Sequence, residues 1–233
     1  MEGPAIAKST PDAAASAQVP SDPGGGHEEP GRSARKRRAI MTAARTLFLA
    51  KGYDGASMDD VAALAAVSKQ TVYKHFADKK RLFTAIITGD IDAAESLTAQ
   101  IVAALGDSED LEHDLRQFAR QHVIDVTQPH LIQLRRIVIA EAERFPELAR
   151  TWYASGPERA HATLADQFRA LARRGLLRVD DPLLAAQHLN WLILSIPLNR
   201  AMFHGNDIEF TPSELERYAD EGARVFLAAY GAE

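Results

Sequence analysis

The chain has 233 residues, 46% of them apolar and 25% charged, an ordinary globular composition with room for one large or two small domains. It has no cysteine, which excludes disulfide frameworks, thiolate metal sites and cysteine nucleophiles. The net charge of −5 is uneven: residues 1–31 carry one Lys or Arg against five Asp or Glu, residues 32–81 twelve against four, and residues 82–233 fourteen against twenty-three.

Residues 1–33 hold Gly24-Gly25-Gly26 and few large apolar side chains, so they read as a disordered tail that cannot bury enough surface to offset its ordering entropy. The tail ends in a basic cluster, Arg32, Arg35, Lys36, Arg37 and Arg38. From there the chain reads as helices throughout, because alternating β-branched runs are missing. A first helix spans about Arg35 to Lys51, with Ile40, Ala44, Leu47 and Phe48 as its apolar stripe and Gly52 as its stop. Ser57-Met58-Asp59-Asp60 has the form of a capping box and opens a short second helix. A third begins at Ser68, with Val72 and Phe76 inward and Lys69, Gln70, Thr71, Tyr73 and Lys74 outward. The fourth is long, capped by Asp78 and running to about Leu105.

The remaining helices are punctuated by Pro and Gly. They run from Leu111 to Val126, from Leu131 to Arg144, after Pro146, from Gly156-Pro157 to Gly175, from Asp181-Pro182 onward, and from Thr211-Pro212-Ser213-Glu214, a second capping box. Pro197 is expected to break or kink its helix. The longest apolar stretch, Leu189 to Leu198, contains Asn190 and Ser195 and is too short to span a bilayer. The fold class is therefore all-α. A basic segment on an acidic body is explained most simply as a polyanion-binding head, although a merely solvated basic face would carry the same charge.

Residues 57–76 make two short helices joined by the tight turn Ala65-Ala66-Val67-Ser68. That is helix-turn-helix geometry, in which the second helix enters a DNA major groove. The segment from about 34 to 94 resembles the DNA-binding domain of the TetR family of bacterial transcriptional regulators. The resemblance rests on Ala44, Phe48, Gly52-Tyr53, Ser57 to Ala62, Val67 to Phe76 and Lys79 to Phe83, with Tyr73-Lys74-His75-Phe76 the most diagnostic run. It departs from the family at Ala66, where glycine is usual; Ala in a left-handed turn costs roughly 1 kcal/mol.

The resemblance implies that Ser57, Tyr73, His75 and Lys79 contact phosphates. Ser57 and Lys79 also stand at helix N-termini, which favour anions. Lys69, Gln70, Thr71 and Lys74 are the candidates for base edges, and Arg35, Lys36, Arg37 and Arg38 form a candidate accessory DNA arm. For Tyr73 and His75 the competing reading is that they only seal the head's small core.

The resemblance further implies a dimerising, effector-binding domain over residues 95–233, with the stretch from Ile139 to Arg159 similar to the AefR-like subgroup. The expected molecule is a homodimer with two heads on a palindromic operator in double-stranded DNA. It acts as a cytoplasmic repressor released by an apolar or aromatic small-molecule effector. Wide apolar faces between Pro182 and Phe203, and Ala219, Gly222 and Ala229 on the last helix, fit a bundle made by two chains. Phe118, His122, Trp152, Phe168, Asn190 and Trp191 are the candidate pocket residues. The long fourth helix, which joins the two parts, is the expected lever. No catalytic motif, cofactor signature, metal cluster or membrane span is read, so the chain is not expected to be an enzyme. The alternative function is an architectural DNA binder without an effector.

Overall fold

The computed structural model describes residues 30–204 and 209–232. Ten α-helices follow one another there: α1 (Pro30–Gly55), α2 (Met58–Leu64), α3 (Lys69–His75), α4 (Lys79–Leu105), α5 (Leu111–Val126), α6 (Pro129–Ala140), α7 (Pro146–Tyr153), α8 (Arg159–Arg173), α9 (Pro182–Phe203) and α10 (Pro212–Tyr230). No strand occurs among the described residues; the sole β-type pairing is an isolated bridge between Leu177 and Gly231.

Most helix starts follow from side-chain caps. Ser57, Ser68, Asp78, Asp110 and Asp181 each accept backbone N–H groups of the first turn that would otherwise lack partners. Thr211 and Glu214 form the reciprocal capping box expected at α10. At α2 only the serine half forms: Ser57 Oγ accepts from Asp60 N at 3.0 Å, while the Asp60 carboxylate turns to Lys51 Nζ at 3.1 Å.

Four boundaries differ from those read in the sequence. Helix α1 begins at Pro30, so residues 30–33 are helical rather than disordered; the rest of the expected tail lies outside the described residues. Gly52 does interrupt α1, with φ 71° and ψ −178°, but one more helical turn follows it to Gly55. Helix α6 stops at Ala140 rather than Arg144: Glu141 leaves the α region at φ −95° and ψ 0°, Ala142 N–H bonds back only three residues to the Ile139 carbonyl, and a turn closed by Phe145 N–H on the Glu141 carbonyl leads to Pro146. Pro157 does not open a helix. It sits in a π-helical turn, Ala154–Glu158, that carries α7 into α8 and absorbs the missing N–H. Helix α9 continues through Pro197 unbroken.

Two hydrophobic cores form. One fills the bundle of α5, α8, α9 and α10 around Leu115, Phe118, Phe168, Leu189, Ile193 and Phe226. The other fills the head around Phe48, Val61, Val72, Phe76, Phe83 and Ile86. It does not close on the head alone, because Leu134 and Val138 of α6 and Leu148 and Trp152 of α7 belong to it. The reading head is thus packed directly on the α6–α7 corner. The buried Asp90 of α4 is paired with Arg45 of α1, whose Nε donates to Oδ2 at 2.9 Å, fixing α1 against the long helix.

Helix α10 lies very close to α9. A Cβ at Gly222 would stand 3.0 Å from Ile193 Cγ1 and 3.1 Å from Ile193 N. Ala219 and Gly222 therefore serve packing within the chain rather than between chains, and only Ala229 of the expected trio is exposed.

Candidate nucleic-acid interface and effector cavity

Helices α2 and α3 form the helix-turn-helix. Val72 and Phe76 are buried against Phe48, Val61 and Phe83, which orients the opposite face of α3 outward. Lys69, Gln70, Tyr73 and Lys74 stand on that exposed face, with Tyr73 44% exposed. Thr71 is half-buried: its N–H donates to Ser68 Oγ at 3.1 Å and its hydroxyl lies 2.8 Å from the same atom. Its hydroxyl is engaged at the start of the helix. In the turn, Ala66 has φ 52°, the left-handed conformation in which glycine would be unstrained.

Several charged groups of the head are engaged with one another. Lys69 Nζ lies 2.8 Å from the Asp59 carboxylate, which raises the lysine's pKa. Lys79, expected at a phosphate, turns back into the head. Its Nζ donates to the Tyr53 carbonyl at 2.9 Å and the Ala56 carbonyl at 3.2 Å, and lies 4.5 Å from the centre of the Tyr53 ring. It ties the end of α1 to the start of α4. His75 is half-buried beside Phe76, and its Nε2 is enclosed without a hydrogen-bond partner. Ser57 is exposed at the α2 N-terminus. Arg35, Lys36, Arg37 and Arg38 lie within α1 rather than ahead of it, and Arg37 sits 5.3 Å over the ring of Phe76, the residue that ends α3. The basic cluster is thereby placed beside the reading helix.

The larger half contains a cavity of about 380 Å³. His122, Trp152, Asn190 and Trp191 line it. Phe118 and Phe168 do not: Phe118 is stacked under His122 at 5.3 Å, and Phe168 is wholly buried against Phe226 at 5.1 Å, so both belong to the bundle core. The walls are mostly apolar, with Ile91, Leu131, Val138, Leu194 and Leu198 among them. His122 Nε2 and Asn190 Oδ1 are 3.0 Å apart. Burial pushes the pKa of His122 down, with the Asn190 hydrogen bond and the Asp125 charge opposing it.

Besides the exposed Tyr153, three polar wall residues lie outside the expected set: Asp125, Arg135 and His161. The signal for two of them is periodic. Arg135 follows Leu131 by four and precedes Val138 by three, on the apolar face of α6. His161 shares the buried stripe of α8 with Leu164, Ala165 and Phe168. A charged or polar residue on such a stripe faces the interior.

The α6–α7 corner touches both sites. Ile139, Ala142, Ala149 and Trp152 line the cavity. In the same stretch Arg144 Nη1 lies 2.6 Å from the Asp54 carboxylate, the Phe145 ring meets the Tyr53 ring edge-on at 5.1 Å, and Glu147 pairs with Lys80. All three partners are in the head. No helix among the described residues is long and apolar enough to cross a membrane.

Comparison with known proteins agrees with this geometry. Residues 113–232 match the family model described as "AefR-like transcriptional repressor, C-terminal domain", and residues 40–86 match "Bacterial regulatory proteins, tetR family". A TetR-family transcriptional regulator from Mesorhizobium loti is similar in structure, with a TM-score of 0.81 and 43% identity over 86% of this chain and 99% of that one. The flavonoid-responsive regulator FrrA has a TM-score of 0.68 and 31% identity over 85% of this chain and 98% of its own. The transcriptional activator FasR of Mycolicibacterium smegmatis is 33% identical over 88 residues, 37% of this chain and only 40% of FasR. From the matched head, the matched C-terminal half and a likeness that runs almost end to end, the chain belongs to the TetR family of DNA-binding transcriptional regulators, a family that is not enzymatic.

Proposed function

We propose that the protein is a dimeric repressor that binds a palindromic operator and is released when a small apolar or aromatic molecule enters the cavity. The observation that carries this reading is the α6–α7 corner, one wall of which lines the cavity while its other side holds the head through Arg144–Asp54, Phe145–Tyr53 and Glu147–Lys80. A ligand that displaces Ala142 or Trp152 shifts a segment to which the head is fastened. Helix α4 shares the load, since Ile91 is in the cavity wall while Leu82 and Phe83 are in the head core. A hundredfold loss of operator affinity requires about 2.7 kcal/mol of coupling between the sites.

The dimer rests on exposed apolar surface. Trp191 (49% exposed), Leu192, Ile196 and Phe203 (84%) of α9, with Val225 of α10, are uncovered in the single chain. Trp191 belongs both to this face and to the cavity wall, so the ligand site adjoins the surface where a second copy would dock. Repression is the role of the family to which the C-terminal half is matched, and the flavonoid-responsive relative at 31% identity supports a planar aromatic effector.

Footprinting on the DNA upstream of the protein's own gene, with and without a panel of planar aromatic compounds, tests the reading. Symmetric protection that one compound class abolishes is expected. Protection indifferent to every compound would identify an effectorless DNA binder, and a monomer at micromolar concentration would remove the palindrome.

A further inference from the structure

Among the described residues, the cavity wall contains a positive charge with no carboxylate to balance it. Among the other interhelical guanidinium groups, Arg136 and Arg174 donate to backbone carbonyls, and two have carboxylate partners: Arg120 holds Asp220 through two hydrogen bonds of 2.7 Å, and Arg45 holds Asp90. Arg135 does not. Among the described residues no carboxylate lies within ion-pair distance of it, and its neighbour is the face of Trp152, whose ring centre is 5.9 Å from Cζ. Burial alone lowers its pKa, and no nearby charge opposes that. Guanidinium is not deprotonated in proteins, so the group remains charged while poorly solvated.

A second buried polar side chain in the same wall is incompletely satisfied. His161 is 5% exposed, and its Nε2 is enclosed with no atom in hydrogen-bonding geometry, although the Asn190 side chain stands close enough to oppose the effect of burial on its pKa. Buried polar atoms are nearly always satisfied, so an orphan on a cavity wall marks a place for a ligand atom or water. Beside it, Asn190 Oδ1 faces His122 Nε2, so the Asn190 side chain stands among the polar groups of the wall with both histidines near it. The cavity carboxylate, Asp125, is already occupied, accepting from Gln121 Nε2 at 2.8 Å. Everything else that forms the wall around these groups is chiefly aliphatic or aromatic.

On the reading that this cavity is the effector site, we infer that its ligand is an apolar monocarboxylic acid, with the carboxylate held by the Arg135 fork and the hydrocarbon body against Trp152, Ile91, Leu194 and Leu198. A neutral hydrocarbon would fill the walls but leave the guanidinium without an anion. A polyanion would exceed the one balancing charge available. A planar carboxylate matches the fork in geometry and charge, and the low-dielectric surroundings strengthen the contact.

The test uses the full-length protein and isothermal titration with biphenylcarboxylate and its uncharged isostere, biphenylcarboxamide. The chain's two tryptophans, Trp152 and Trp191, both line the cavity, so quenching of intrinsic fluorescence reports occupancy independently. The acid should bind at least about tenfold more tightly than the amide, the usual advantage of a charge-assisted pair. Arg135→Met should abolish that preference while leaving amide binding unchanged, and Arg135→Lys should restore part of it. Should Arg135→Met not fold, the comparison of acid and amide on the unaltered protein decides alone. Equal binding of acid and amide by the unaltered protein overturns this inference and leaves the effector cavity standing. Failure of both probes to bind or quench overturns the cavity reading and this inference with it.

Discussion

Replacing Gly222 by alanine isolates the closeness of α9 and α10. The added Cβ would stand 3.0 Å from Ile193 Cγ1 and 3.1 Å from both Ile193 N and Leu192 C. Carbon contacts are optimal at roughly 3.5–4.0 Å, and two of the three neighbours are backbone atoms that cannot rotate away. Helix α10 must then retreat by several tenths of an ångström, loosening Ala219, Ala223 and Phe226, all fully buried along the same face. Overpacking of this kind costs about 1–3 kcal/mol, while the change from Gly to Ala inside a helix returns about 0.8–1 kcal/mol. Gly89→Ala is the matched control. Gly89 also lies inside a helix, and its Cβ would meet only the flexible end of Met41, at 3.6 Å. The propensity gain cancels between the two variants, so Gly222→Ala should be less stable than Gly89→Ala by about 1–3 kcal/mol. At about 2–4 °C per kcal/mol for a chain of this size, the melting temperatures separate by several degrees. Both are measured by thermal and urea unfolding at one protein concentration, because association would shift either value. Coincident midpoints, or a more stable Gly222 variant, would refute the account of how the two helices pack.

Three further outcomes are expected. Ala66→Gly removes a left-handed alanine at φ 52°; relief of about 1–2 kcal/mol outweighs the larger chain entropy of glycine, so the melting temperature rises, and a fall would show that the turn is not strained. Burial lowers the pKa values of His122, His130 and His161 below the ordinary 6.5. The unfolded chain therefore takes up protons that the folded chain does not, and stability should fall as pH drops from about 6.5 through the folded-state values, with little change above. Melting curves across that range check it, and rising stability on acidification would contradict it. Phe145→Ala deletes the edge-on contact with Tyr53, an interaction of about 0.5–1.5 kcal/mol. Cavity affinity should be unchanged while the effect of ligand on operator binding shrinks; full retention of that effect would remove the α6–α7 corner from the switching route.

Helix caps were the most legible part of the sequence. Ser57, Ser68, Asp78, Asp181 and Thr211 all act where their residue types suggest, because a cap is decided by a handful of adjacent atoms. The outward face of α3 was equally plain, since Val72 and Phe76 fix the opposite side. Residues Glu141 to Arg144 read as helix in the sequence because helix formers run on to Pro146 without a glycine or other stop, whereas the chain already leaves the α region at Glu141. The cavity was partly legible. Aromatic residues alone do not distinguish wall from core: Trp152 lines the space, while Phe168 fills the bundle. The departures from the apolar stripe at Arg135 and His161 were the better guide, because a polar group there must face something.

The ion pairs within the head alter how its basic charge works. Residues 32–81 contain twelve Lys and Arg, yet Lys51, Lys69 and Lys80 already lean on carboxylates, Arg45 grips Asp90, and Lys79 is folded onto two carbonyls. Association with a duplex is then an exchange, in which a phosphate must displace Asp59 before Lys69 is released. Fewer mobile cations are liberated from the duplex than the number of basic side chains suggests, so the dependence of affinity on salt is shallower. Random sequence offers little to offset that exchange. If Lys69 reads base edges as proposed, the head should leave such sequence readily and linger where those edges keep Lys69 away from its own aspartate.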